Sequence, residues 1–141
     1  MQTEKLLKEI TRFNKNTMAT SIGLELTDVG DNYVCGKIPV DFRTIQPFGQ
    51  LHGGASVALA ETLGSIAGNR QIDSKREMVV GVEINANHLR SVKAGWVHGK
   101  ALPIKIGKRI HVWEIRITNE SNELVCLSRL TLAVVKRTTK R

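Results

Sequence analysis

The chain has 141 residues, 41% hydrophobic and 24% charged, the composition of one ordinary globular domain, which excludes a disordered or low-complexity protein. An excess of 21 Lys and Arg over 13 Asp and Glu gives a net charge of +8, which favours an anionic partner: nucleic acid, a membrane surface or a phosphate-bearing small molecule. Aromatics at 4% are too sparse for base stacking, no helix-turn-helix or zinc-finger pattern occurs, and no apolar run reaches spanning length, so neither nucleic acid nor membrane is the expected partner.

In chain order, Leu6, Leu7, Ile10 and Phe13 recur at helical spacing and predict a short amphipathic helix over 3–15. Acids are mixed with bases there and no signal-peptide core is present, as expected of a cytoplasmic protein. GLELTDV and YVCGKIPV read as two strands of a hairpin turning at Gly30, Asp31 and Asn32. Residues 41–52, with Pro47 and Gly49, form a loop. A helix over about 53–69 follows, with Gly68 and Asn69 suited to its C-cap. Ala55, Val57, Ala58, Leu59, Ala60, Leu63, Ile66 and Ala67 make it apolar nearly all round, so it should be buried on most sides.

The second half is dense in strands. MVVGVEINANHL places Val80, Val82, Ile84 and Ala86 on one face, and WVHGKALPIKIG runs into a tight turn at Gly107–Lys108. RIHVWEIRIT sets His111, Trp113, Ile115 and Ile117 on one face, and LVCLSRLTLAVV follows the NESNE turn. Long antiparallel strands after a single long helix predict an α+β fold, one domain over 1–141 with a sheet wrapped around the central helix. Cys35 and Cys126 are isolated and read as reduced thiols, and the histidines show no metal-ligand spacing. Lys136, Arg137, Lys140 and Arg141 form a basic tail that reads as a solvated end.

Chemistry concentrates in QPFGQLHGGASVALAETLGS. Gly53 and Gly54 sit where loop becomes helix; they either make a tight turn or let backbone approach a ligand. In the second case the free N–H groups of the first turn and the helix dipole would stabilise the oxyanion of an attacked carbonyl. Glu61 lies seven residues beyond Gly54, on the same face and roughly 10 Å along the axis. It cannot reach an oxygen held at its own helix start, so either a second chain supplies the carboxylate or the two groups do separate jobs. A composite site at a dimer interface is the expectation. Glu61 is a partly exposed surface carboxylate, a buried ion-pair partner or a functional group; between Leu59, Ala60, Leu63 and Gly64 simple exposure is out of place, and buried carboxylates are often functional. Ser65 shares its face and either bonds the carboxylate or a water, or merely packs. Gln46 donates to a substrate carbonyl or faces solvent, and His88, at a strand end, is a structural group or a ligand contact. No GxSxG or Ser/His/Asp pattern points to a serine nucleophile.

The segments QPFGQLHGGASVALAETLGS, VVGVEINANHLRSV and SRLTLAVV together resemble a hotdog-fold acyl-CoA thioesterase. The resemblance runs from about residue 15 to 135. It is to the bacterial group containing 1,4-dihydroxy-2-naphthoyl-CoA thioesterase and the proofreading thioesterase of enterobactin synthesis. It implies a homodimer with two composite sites, dimers pairing into homotetramers, and hydrolysis of an aromatic acyl-CoA of dihydroxynaphthoyl or hydroxybenzoyl type. Glu61 would be nucleophile or general base, with Gln46 and the Gly54 N–H polarising the thioester carbonyl. His52 would position loop and substrate, and Ser65 would assist the water or the aryl group. Gly53, Gly81, Val82, His88, Leu89, Arg90 and Ser91 would bind substrate and CoA, Arg90 near the nucleotide phosphates. No cofactor is implied, since CoA is part of the substrate; an acyl-carrier-protein thioester is the other possible carrier. Two alternatives stay open: a hotdog dehydratase or hydratase built on a His/Asp or His/Glu pair, and a non-catalytic acyl-CoA-sensing module. The HGG-x₆-E spacing sides with the thioesterase.

Overall fold

The computed structural model describes residues 1–138. Its elements are α1 (Gln2–Phe13), α2 (Met18–Ser21), β1 (Glu25–Val29), β2 (Val34–Pro39), α3 (Gly53–Asn69), β3 (Glu77–His88), β4 (Trp96–Ile106), β5 (Ile110–Thr118) and β6 (Leu124–Lys136). The strands form one antiparallel sheet in the order β1-β2-β4-β5-β6-β3, wrapped on α3 as the α+β reading requires. Among the described residues no helix is long and apolar enough to cross a membrane. Lys140 and Arg141 of the basic tail lie outside the described residues.

Helix and sheet approach closely because large and small residues alternate across the contact. Leu59 and Leu63 fill the space over Gly99, and Leu63 also covers Gly36. In return Leu130 and Leu132 of β6 reach over Gly64 and Gly68 of the helix. A side chain at any of these glycines would collide with its neighbour, so each pair interlocks at native density. Trp113, Ile115 and Ile117 are fully buried on the inner face of β5, as the alternation predicts.

Several expectations need correction. The first helix ends at Phe13, which is 80% exposed; only Leu6, Leu7 and Ile10 pack on the core. The short helix α2 has no counterpart in the sequence reading. Gly68 and Asn69 do not cap α3. The helix runs through both to Arg70, whose backbone stays right-handed, and the Asn69 amide donates to Ser65 O and accepts from Val79 N–H, both at 3.1 Å. The sheet covers only one side of α3, leaving Val57, Ala58, Glu61, Thr62 and Ser65 half-buried.

The face of β3 also changes. Gly81 pairs with Leu132 and Glu83 with Thr131, so Val82 is the extra residue of a bulge. Val79 and Gly81 face the helix before it, and Ile84 and Ala86 pack on the core after it. Val80 and Val82, expected inside, are 37% and 60% exposed.

Both cysteines are free thiols, their pKa values pushed up by burial. His111 is buried, Trp113 Nε1–H donates to its Nδ1 at 3.5 Å, and burial holds its pKa below the usual value. The folded chain therefore resists a proton that the unfolded chain accepts near about pH 6.5. Above that pH the residue is neutral in both states and has no effect on the slope. Below it, stability should fall as pH drops toward the depressed folded-state value. Denaturant midpoints between pH 7.5 and 5 check this: His111→Phe should lose that part of the wild-type slope.

Candidate active site

The loop 41–52 is built as a rigid approach to α3. Asp41 accepts from the Arg43 backbone N–H at 2.9 Å and from its guanidinium at 2.7 and 3.1 Å, contacts that hold its carboxyl below the usual carboxylate range. Thr44 Oγ1–H donates to Pro39 O at 2.6 Å, and His52 N–H donates to Thr44 O at 2.8 Å. Within this frame Gln46 N–H donates to Gln50 O at 2.8 Å, and Gly49 turns the chain at φ +80°. Gln46 Oε1 accepts from Phe48 N–H, which fixes the amide so that its NH₂ end is the part left to donate.

His52 is the N-cap of α3, and its Nδ1 accepts from Gly54 N–H at 2.8 Å. Nδ1 therefore carries no proton, and the ring proton sits on Nε2. This contact bears on the oxyanion donor: the Gly54 N–H assigned from sequence already has an acceptor in this structure. Among the described residues, the first-turn N–H of Gly53 has none. Gly53 is also where His88 closes on the helix, since a Cβ there would lie 2.9 Å from His88 Nε2.

Behind that contact lies a cleft of about 430 Å³ lined by Gln50, Leu51, Gly53, Ser56, His88, Leu89, Arg90, Ser91 and Val125. Five of the proposed substrate contacts thus meet in one place. The sequence reading missed Gln50, Leu51, Ser56 and Val125; Ser56 alone had a signal, lying one turn after Gly53. The cleft walls are pinned by backbone bonds, Leu51 N–H to Val92 O and Leu89 N–H to Val125 O, both 2.8 Å. A larger groove of about 710 Å³ between α1 and β1 contains none of the site residues.

Glu61 belongs to a second cluster. It is half-buried rather than enclosed, and its carboxylate lies over Gly81, where a Cβ would come within 2.5 Å of Oε2. Ser65 is one turn on, and Val82 is the bulge residue beside Gly81. Glu61 is absent from the cleft lining, and eight residues of helix separate it from Gly53, roughly 12 Å of rise. Within one chain the structure keeps carboxylate and helix start apart.

A six-stranded antiparallel sheet wrapped on one long central helix is the architecture of the hotdog class that the sequence resembles, and the comparisons with known proteins agree. Residues 48–126 match the thioesterase superfamily model. The chain is 43% identical to the 1,4-dihydroxy-2-naphthoyl-CoA hydrolase of Escherichia coli K12, over 92% of this chain and 94% of that one. The crystal structure of a Haemophilus influenzae thioesterase superposes with a TM-score of 0.89 at 47% identity, covering 92% and 90% of the two chains. A mutant thioesterase of Pseudomonas aeruginosa gives a TM-score of 0.91 at 41% identity, covering 93% and 94%. The chain belongs to the thioesterase superfamily, and it is a thioester hydrolase.

Proposed function

We propose that the protein hydrolyses an aromatic acyl-CoA to the free acid and CoA at a site shared by two subunits. The observation that carries this reading is the cleft, where a helix start with an unpartnered N–H meets a rim carrying His88, Arg90 and Ser91. A thioester carbonyl placed at Gly53 would have its developing oxyanion stabilised by that N–H, by the helix dipole and by the Gln46 amide. Turning the His52 ring would release Gly54 N–H as a further donor. The pantetheine arm would run along the cleft and set the phosphates beside Arg90.

The carboxylate comes from Glu61 of the partner subunit. β3 is an edge strand of 12 residues with Val80 and Val82 exposed, an open template for pairing with a second copy. Antiparallel pairing about its midpoint sets Gly81 of the partner subunit opposite Ile84. In strand register, the partner's Gly81, over which its Glu61 lies, is then four residues from the level of His88, where this chain's own Gly81 is seven residues away. The half-buried strip of Val57, Ala58, Thr62 and Ser65 is what a second subunit would cover.

Glu61 either attacks the carbonyl, giving a mixed anhydride that water cleaves, or takes a proton from the attacking water. Both routes expel the CoA thiolate and leave the acid. One turnover in ¹⁸O-water identifies the anhydride where label enters the Glu61 carboxyl and the acid leaves unlabelled, the result of water cleaving the anhydride at the Glu61 carbonyl; cleavage at the acyl carbonyl labels the acid alone, as the general-base route does.

The test is steady-state thiol release from benzoyl-, dihydroxynaphthoyl-, phenylacetyl- and medium-chain acyl-CoA. Aryl esters should turn over with the highest kcat/KM. Preference for the medium-chain ester would overturn the aromatic assignment, and thioesters turned over only on an acyl carrier protein would overturn the CoA carrier.

A further inference from the structure

Arg90 is held at the rim of the cleft by a residue outside the cleft lining. Its Nη2 lies 3.3 Å from Glu123 Oε2, with the side chains 49% and 46% exposed. Glu123 is itself fixed: Asn119 Nδ2–H donates to its Oε1 at 3.0 Å. Asn119 Oδ1 accepts from the N–H groups of Ser121 and Glu123 at 3.0 and 2.9 Å, and Asn119 N–H donates to Glu123 O at 3.0 Å. Asn122 at φ 61° completes this turn between β5 and β6. The turn is closed on itself and presents a carboxylate whose place is set by its own hydrogen bonds. Arg90 lies just past the end of β3, between the backbone anchors at Leu89 and Val92. Among the described residues its guanidinium has no other ion-pair partner.

We propose that Glu123 is a positioning residue for CoA recognition, an inference that rests on the acyl-CoA reading of the cleft. A guanidinium has five N–H donors in a planar fork. Contact through one nitrogen orients the fork and leaves its other donors for a phosphate. Without the carboxylate a long, exposed side chain must be ordered by the substrate itself, and that entropy is lost from binding. Since exposed pairs add little to folding stability, removal of Glu123 is read in affinity and not in the melting temperature.

The experiment compares benzoyl-CoA with S-benzoylpantetheine, which has the same reacting group and no phosphate. Glu123→Gln keeps an acceptor for Asn119 but loses the charge. It should raise KM for benzoyl-CoA about three- to fivefold, the scale of one exposed charge contact, with kcat unmoved. The ratio of kcat/KM between the two esters should fall by the same factor. In an Arg90→Ala background the substitution should have no effect on KM. A KM for benzoyl-CoA that stays the same or falls overturns the proposal; a fall would mean that Glu123 competes with phosphate for Arg90. If wild type hydrolyses neither ester, the catalytic reading fails on its own account. Calorimetry with CoA then decides the pair: weaker binding to Glu123→Gln supports it, and equal or tighter binding overturns it.

Discussion

Glu61→Gln is expected to lower kcat for an aryl-CoA by at least about 10²-fold, as for loss of a principal catalytic group, with KM little changed. The substitution keeps shape and removes only the capacity to attack or to accept a proton. Glu61 is half-buried, and none of the ion pairs among the described residues includes it, so stability should move by no more than about 0.5 kcal/mol. Activity and stability measured together thus separate a catalytic role from a structural one. The proposal of a site shared by two subunits has a sharper test. Glu61→Gln damages the carboxylate side, and Gly53→Val damages the other side by driving a side chain into His88. Each variant alone should be nearly inactive. Mixed after denaturation and refolding, they should recover roughly one quarter of wild-type activity, because half of randomly assorted dimers are mixed and each holds one intact site. No recovery in a mixture shown to contain mixed dimers would mean that both groups act within one chain.

The sequence carried the central helix and the inner face of β5 because each repeats its apolar positions at one period over many residues. β3 was misread for a local reason. One extra residue at Val82 exchanges the two faces of a strand, and its only trace in the sequence is Gly81. The His52 cap was hidden because histidine is not among the usual N-cap residues, so the Gly54 N–H looked free. For the site, chain order was enough to group Leu89, Arg90 and Ser91, which are neighbours. It was not enough to join them to Val125 or to pair Arg90 with Glu123, contacts made only when β6 closes beside β3. A carboxylate in an apolar helix was visible at once. That it stands over a bulge, and apart from the cleft, was not.

That placement makes Gly81→Ala the second large effect. Gly81 does not have a positive φ, so alanine is allowed by the backbone. The ladder on either side of Gly81, Val80 with Ala133 and Glu83 with Thr131, holds the strand in place. The new methyl would sit 2.5 Å from Glu61 Oε2, closer than real contacts permit, and the carboxylate is the freer of the two to move. A displacement of roughly 1 Å at a reacting group can cost about 10²-fold, so kcat should fall ten- to a hundredfold while the protein stays folded. Since the whole effect passes through Glu61, the same change in a Glu61→Gln background should remove almost nothing further. Full activity in Gly81→Ala would show that the carboxylate works from a position other than the one over the bulge. An additive loss in the double variant would place Gly81 in direct contact with substrate, where the backbone of β3, and not the carboxylate, is what the methyl group disturbs.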